Sequence, residues 1–388
     1  MSEHGIRIGA GLSALDDAVD AGRAAAASAA ATLGGAPVDL AFVFISTYHL
    51  PSAAATAAAV RAELGARCLV GCVAEGVLGG GRELEDGPGV AVWAAALPGA
   101  EVEVFHAESV HTDEGSVIAG FPQLADPSLV ALLIDPFTFP ADSFLDGLNQ
   151  EYPGLPAVGG IAAGGGRPGT QALFLGGETY RHGAVGAIVS GIPVRTVVSQ
   201  GCRPIGRDLV ATSAEGNVVY ELAGRPAIER LREQVERLSE TEQRQALRGL
   251  LVGLVIDENT PDYDRGDYLI RSLLGGDEES GALVLGAAVR PGQTLRFHIR
   301  DGSTADSDLV EALASTLDGV DPVGALLFTC NGRGTAMFGR PDHDAALVSE
   351  TLAGAAVAGF FCGGEIGPVG SKVFLHAFTA TLAVFLRG

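Results

Sequence analysis

Four apolar runs along the chain stop abruptly at polar or turn residues: LAFVFIST (Leu40–Thr47), LVALLIDP (Leu129–Pro136), LLVGLVIDEN (Leu250–Asn259) and VGALLFTCN (Val323–Asn331). Their hydrophobicity is continuous rather than alternating, the pattern of strands covered on both faces. The first, second and fourth lead into helical stretches, LPSAAATAAAVRAELG, FPADSFLDGLNQEYPG and RPDHDAALVSETLAG. Proline is tolerated in a first helical turn, and the closing glycine suits a C-cap. A second apolar run then breaks into glycines (RCLVGCVAEGVLGGG, LPAVGGIAAGGGRPG, AVAGFFCGGEIGPVG), and a strand of small residues returns (DGPGVAVWAAALPG, HGAVGAIVSG, HAFTATLAVFL). The predicted unit is strand, helix, strand, return strand.

The copy that starts at Leu250 is aberrant. It continues through YLIRSLLGGDEESG into an expected hairpin, ALVLGAAVRPGQTLRFHIRD, and a helix over roughly 304–317. RPAIERLREQVERLSETEQRQALRG, rich in Glu and Arg on its polar face, predicts a further helix or helix pair. The rhythm breaks near Leu222–Pro226. The expected fold is α/β: two related lobes built from repeated β-α-β-β units, with mixed sheets covered by helices. The boundaries are 1–35 for an N-terminal helical segment, 36–222 for an N-terminal domain and 223–388 for a C-terminal domain.

Composition narrows the function. Of 388 residues, 47% are hydrophobic but only 6% aromatic, and 55 are glycine, so the cores rely on small side chains and close backbone packing. A net charge of −22 repels phosphate backbones and anionic lipid, which argues against nucleic-acid binding and membrane insertion. The start MSEHGIRIGAGLSALDDAV lacks a basic-then-apolar export signal, and AGRAAAASAAATLGG is too short and weakly apolar to span a bilayer. Five cysteines without a CxxC pair read as reduced thiols of a cytoplasmic protein, with no metal site.

Candidate chemistry collects at strand ends. A right-handed β-α-β crossover brings both strand termini to one edge, where ligands bind. In the last unit, Cys330, Asn331, Gly332, Arg333 and Gly334 follow the first strand; Cys362, Gly364 and Glu365 follow the second. Cys72 and Glu75 in CVAE repeat the Cys-x-x-Glu spacing of CGGE, whereas GIAA (Gly160–Ala163) replaces it in the middle unit.

Arg333, flanked by glycines, can present its fork to a carboxylate, or form an internal salt bridge to Asp342, Asp344 or Glu365. Glu365 and Glu75 could hold an ammonium group, which with Arg333 would suit a zwitterion. Cys330 is either a thiol activated by Arg333, the helix after Pro341, His343 or His376, or a small buried residue closing a strand. Arg203 either contacts ligand or ties the structure together. His376 lies in an apolar strand, the usual setting of a core histidine. The reading favours binding over turnover and assigns no catalytic residue. No cofactor is expected; haem is the alternative, although no CxxCH motif occurs.

QGCRPIG (Gln200–Gly206), EGNVVYEL (Glu215–Leu222), CNGRG…MFGRPDHD and GFFCGGEIGPVG…FLHAFTA together resemble the FIST family of F-box and intracellular signal transduction proteins. GCVAEGVLGGGRELEDGPGVAV (Gly71–Val92) is similar to its N-terminal segment. The resemblance spans most of the chain and makes residues 36–222 and 223–388 the FIST N- and C-terminal domains. It implies a sensory module that binds a small ligand such as an amino acid; some members are linked to haem-based sensing and others adjoin an F-box. With no output segment in view, sensing would need a separate signalling protein, and self-association into a homo-oligomer is open. The alternatives are a cysteine-dependent hydrolase or transferase, and a protein-interaction scaffold.

Overall fold

The computed structural model describes residues 5–113, 115–247, 249–260, 262–263 and 265–387. They divide into two compact units: residues 5–199, 309–375 and 379–387 form the first, and residues 200–308 and 376–378 the second.

The first repeat runs β1 (Arg7–Ser13), α1 (Ala18–Leu33), β2 (Leu40–Ser46), α2 (Ala53–Leu64), β3 (Cys68–Ala74), a hairpin of β4 (Val77–Gly79) and β5 (Arg82–Leu84), and the return strand β6 (Val90–Ala96). The second runs β7 (Glu101–Thr112), β8 (Gly115–Ala119), β9 (Leu129–Ile134), α3 (Ala141–Glu151), β10 (Ala157–Ile161), the hairpin β11 (Leu173–Leu175) and β12 (Glu178–Tyr180), and β13 (Ala184–Ser190). The third opens with β14 (Val194–Gln200). The chain then enters the second unit through β15 (Cys202–Glu215), β16 (Val218–Leu222), β17 (Arg225–Pro226), α4 (Ala227–Glu236) and α5 (Glu240–Ala246). It continues with β18 (Leu250–Val255), β19 (Tyr268–Asp277), β20 (Ala282–Leu285) and β21 (Thr294–Arg300). After α6 (Gly302–Leu317) the third repeat resumes: β22 (Pro322–Cys330), α7 (Thr335–Phe338), α8 (His343–Thr351), β23 (Ala356–Cys362), the hairpin β24 (Glu365–Val369) and β25 (Lys372–His376), and β26 (Thr379–Leu386).

The α/β class and the mixed, helix-covered sheets match the expectation, and the three complete repeats build three sheets of one design. Each orders its strands as opening strand, return strand, first strand, second strand: β1-β6-β2-β3, β7-β13-β9-β10 and β14-β26-β22-β23. First and second strands run parallel. The hairpin added beyond the second strand always comes from another repeat. β3 receives β11–β12, β10 receives β24–β25, and β23 receives β4–β5. The donation closes into a three-way exchange.

One glycine per repeat fixes the alignment. Gly71, Gly159 and Gly359 stand opposite Val43, Leu132 and Leu327 on the neighbouring first strand. A Cβ there would come within 2.2, 1.9 and 1.7 Å of that partner's carbonyl oxygen, so only glycine fits.

The inner sheet faces meet in one core. Phe44 stacks on Phe360 at 5.0 Å, and Trp93 lies 4.9 Å from Phe385. Outside, α1 and α2 cover the first sheet, Phe144 and Leu148 of α3 the second, and Leu313 of α6 with Val348 of α8 the third. The alanine content of α1 has a physical cause: a Cβ on Gly11 of β1 would lie 2.0 Å from the Ala25 carbonyl oxygen, so helix and strand touch backbone to backbone.

The run at Leu250 is not a fourth repeat. Its strand β18 lies between β19 and β21, antiparallel to both. The order β15-β21-β18-β19-β20-β16-β17 is closed by an additional β15–β16 pairing, so six antiparallel strands form a ring around Val252, Leu254, Leu295 and Phe297. The hairpin expected over residues 282–301 is not made. β20 pairs with β16 and β19, while β21 pairs with β15 and β18, because ring closure gives each strand other partners. Helices α4, α5 and α6 fall where the sequence places them. Among the described residues no helix is long and apolar enough to cross a membrane.

Candidate functional site

β22 ends at Cys330, in register with Cys362, the last residue of β23. A 3₁₀ turn over Asn331–Arg333 follows, then Gly334, α7, and two residues at positive φ, Gly339 (70°) and Asp342 (63°), before α8. Acidic residues of the first repeat hold this path. Glu85 accepts the Thr335 N–H at 2.9 and 3.0 Å, and a Cβ on Gly334 would lie 2.0 Å from its Oε2. Glu83 accepts the Ala345 N–H at 2.9 Å, and its own N–H donates to Asp342 at 2.7 Å. Burial pushes Glu83 up to about 7; the Ala345 hydrogen bond offsets part of that rise, and Asp344, Glu85 and Asp342 add to it.

Arg333 is 1% exposed, and it is already engaged. Its Nε and Nη2 donate to the two oxygens of Asp344 at 2.7 and 3.0 Å, a bidentate pair. Thr329 donates to Asp344 at 2.6 Å, and His343 Nδ1 lies 2.9 Å from it. The Phe338 ring stacks on His343 with centroids 3.4 Å apart. Burial alone would raise the Asp344 pKa, but the Arg333 charge and the hydrogen bonds from His343, Arg333 and Thr329 hold it well below the usual carboxylate range. Of the two roles considered for Arg333, the internal salt bridge is present. Its third nitrogen, Nη1, has no protein hydrogen-bond partner.

Glu365 is fully buried at the start of β24. Thr379 donates to its Oε2 from both N–H (3.1 Å) and hydroxyl (2.9 Å), whereas Oε1 has no protein partner. Burial pushes Glu365 up to about 8 against the opposing hydrogen bonds of Thr379 and Cys330 and the charge of Arg333. Asn331 Oδ1 is a third buried, unpartnered atom. Burial pushes the Cys72 and Cys362 thiols well up, and Glu365, Cys72 and Cys330 add to the effect at Cys362. Among the described residues no group of three His, Cys, Asp or Glu is arranged to hold a metal ion.

The structure thus brings Cys330, Arg333, Cys362, Glu365 and Cys72 into one cluster, with Asn331 next along the chain from Cys330. Gly332 lies in the 3₁₀ turn, and the Gly364 carbonyl accepts the Ile161 N–H at 2.8 Å, tying the site to β10. Glu75 is exposed in the turn between β3 and β4, outside the buried cluster. The two Cys-x-x-Glu stretches are not equivalent. Counted from the shared glycines, Cys72 corresponds to Gly160 and Phe360, which register with Leu173, Glu365 and Val77 of the received hairpins. Glu365 therefore occupies a position that is apolar in the other two sheets. Gly160 is needed for another reason: a Cβ there would lie 2.3 Å from Cys362 Sγ.

Sequence reasoning missed Thr329, Thr379, Glu83 and Glu85. The acids had a signal: RELED places three carboxylates where a glycine turn needs none. Arg203 pairs with Glu242 (2.8 Å) and Asp301 (3.2 Å), a structural role. His376 is buried at the end of β25.

Residues 39–225 match the FIST N domain and residues 227–368 the FIST C domain. The chain belongs to the FIST family. FIST domains are small-ligand-binding sensory modules. The chain is 45% identical to "Uncharacterized protein Rv0628c" of Mycobacterium tuberculosis (strain ATCC 25618 / H37Rv), over 98% of this chain and 100% of that one. It is 42% identical to "Uncharacterized protein Mb0898c" of Mycobacterium bovis, over 98% and 99%.

Proposed function

We propose that this FIST protein is a cytoplasmic sensor of a small polar metabolite, zwitterionic or carboxylate-bearing as amino acids are, bound at the Arg333–Glu365 cluster. One observation carries the reading: beside the satisfied Arg333–Asp344 and Thr379–Glu365 hydrogen bonds, the buried atoms Arg333 Nη1, Glu365 Oε1 and Asn331 Oδ1 lack partners. A buried polar atom left unpaired costs about 1–3 kcal/mol, which a ligand that pairs it returns. Asp344 holds the guanidinium rigid, so Nη1 is presented to a carboxylate without loss of side-chain freedom. Asn331 Oδ1 is an acceptor suited to an ammonium group. Binding settles the turn 331–342 against the first repeat, and a separate output protein, or a second copy of the chain, reads that surface.

Thermal-shift measurement against amino acids and related carboxylates tests this. A ligand at a hundredfold its Kd adds about 2.7 kcal/mol of stability. Arg333→Lys keeps the charge beside Asp344 but deletes Nη1. The reading expects the ligand-induced shift to vanish in this variant while its circular dichroism matches wild type. An equal shift in both proteins removes Arg333 from the ligand.

A further inference from the structure

Three features of the cluster converge on one chemistry. The thiols differ: Cys72 and Cys362 are fully enclosed, whereas Cys330 is 8% exposed, at the end of its strand. Cys330 is hydrogen-bonded to Glu365, and both lie within electrostatic reach of Arg333. Of the three unpartnered atoms, Asn331 Oδ1 is an acceptor, and the other two, Arg333 Nη1 and Glu365 Oε1, are placed to donate. Thr379 directs its two hydrogen bonds to Glu365 Oε2, which leaves Oε1 as the oxygen that carries the proton whenever the acid is neutral, and Arg333 Nη1 carries only N–H groups. A thiol beside two unsatisfied donors and a proton-exchanging carboxyl suits a ligand with an electrophilic carbon between two acceptor groups.

We propose that Cys330 captures the ketone or aldehyde carbon of a small 2-oxo acid as a reversible thiol adduct, with the ligand's carboxylate on Arg333 Nη1 and its carbonyl oxygen on Glu365 Oε1. The proposal rests on the binding reading above and narrows its ligand to the carbonyl-bearing acids. The Sγ–C bond forms as the carbonyl π bond opens. Glu365 delivers the Oε1 proton to the carbonyl oxygen and receives the thiol proton, so the adduct is a hemithioketal or hemithioacetal with a neutral hydroxyl and its carboxylate still ionised, beside a re-protonated Glu365. Nothing is oxidised or reduced, no group leaves, and the reverse path releases the ligand unchanged. Glu365 at this position, where the other repeats carry Val77 and Leu173, restricts the capture to the third repeat.

The test uses the full chain with pyruvate, ¹³C-labelled at the ketone carbon, and lactate as the control without a carbonyl. The proposal expects a bound ¹³C signal in the tetrahedral region. Pyruvate, but not lactate, should protect Cys330 from iodoacetamide at least tenfold in rate, read by peptide mapping of the wild-type chain, so that no variant needs to fold. Cys330→Ser should lose the tetrahedral signal. Equal melting shifts with pyruvate and lactate, and a ketone signal that stays trigonal, overturn the capture and leave the binding reading standing. If neither these acids nor the amino acids shift the melting temperature, both readings fall. An adduct that persists in Cys330→Ser, or protection that maps to the half-buried Cys68, overturns the assignment to Cys330.

Discussion

Glu365→Gln should change the pH dependence of stability more than the stability itself. The folded carboxyl titrates at about 8 and the unfolded one at its ordinary 4.5. Between those values the native state binds a proton that the unfolded state does not, so stability falls as pH rises. Each pH unit costs about 1.4 kcal/mol per such proton. The span exceeds three units, so holding Glu365 neutral at pH 8 costs on the order of 5 kcal/mol relative to acid conditions. The contribution is fully present below pH 4.5 and lost by about pH 8. Glutamine reproduces the neutral acid's shape, keeps an oxygen for Thr379 and cannot ionise. The variant should match wild type near pH 5 and exceed it by several kcal/mol at pH 8. Urea unfolding followed by Trp93 fluorescence measures this, since that single tryptophan is buried in the core of the unit that carries Glu365. A contribution of the same slope but shorter range from Glu83, ending near pH 7, remains in both proteins. Parallel curves for the two proteins from pH 5 to 8 would refute the reasoning, because Glu365 would then be equally protonated in both states.

Two further perturbations follow from the geometry. Asp344→Asn leaves the Arg333 cation buried without its counter-charge and should cost about 3–5 kcal/mol in urea unfolding, whereas the apolar pair Arg333→Met with Asp344→Leu should recover most of that loss; a loss below ~1 kcal/mol for the single change would show that the pair does not hold the turn. Gly160→Ala drives a methyl to 2.3 Å from Cys362 Sγ and should lower stability by about 1–3 kcal/mol, with Cys362→Ala restoring part of it in the double variant; additive losses would mean that the two residues do not press on each other.

The strands at Leu40, Leu129 and Val323 were legible because burial on both faces writes an unbroken apolar run, and proline and glycine marked the helices between them. Leu250 carries the same signature for a different reason: its strand lies in a closed antiparallel ring and is buried along almost its whole length. Hydropathy does not distinguish parallel from antiparallel partners. The hairpin exchange was hidden as well, because Val77 opposite Phe360 and Gly160 opposite Glu365 are pairings across roughly two to three hundred residues. At the site, residue types and their strand-end placement were readable, and the Arg333 salt bridge was among the alternatives. Matching Cys72–Glu75 with Cys362–Glu365 by spacing failed, since the register is set by Gly71 and Gly359, and the thiols stand at different distances from them.

The circular donation of hairpins has a consequence for biosynthesis. The sheet built on β9 and β10 lacks its outer strands until β24 and β25, more than two hundred residues later, have emerged from the ribosome. Through that interval the β10 edge offers unpaired backbone groups, the type of surface that recruits other chains. No repeat can mature alone, and folding of the first unit waits on its last-synthesised repeat. A chain shortened before Glu365 should therefore lose the second sheet as surely as the third, while a separately supplied C-terminal fragment has a ready place to dock.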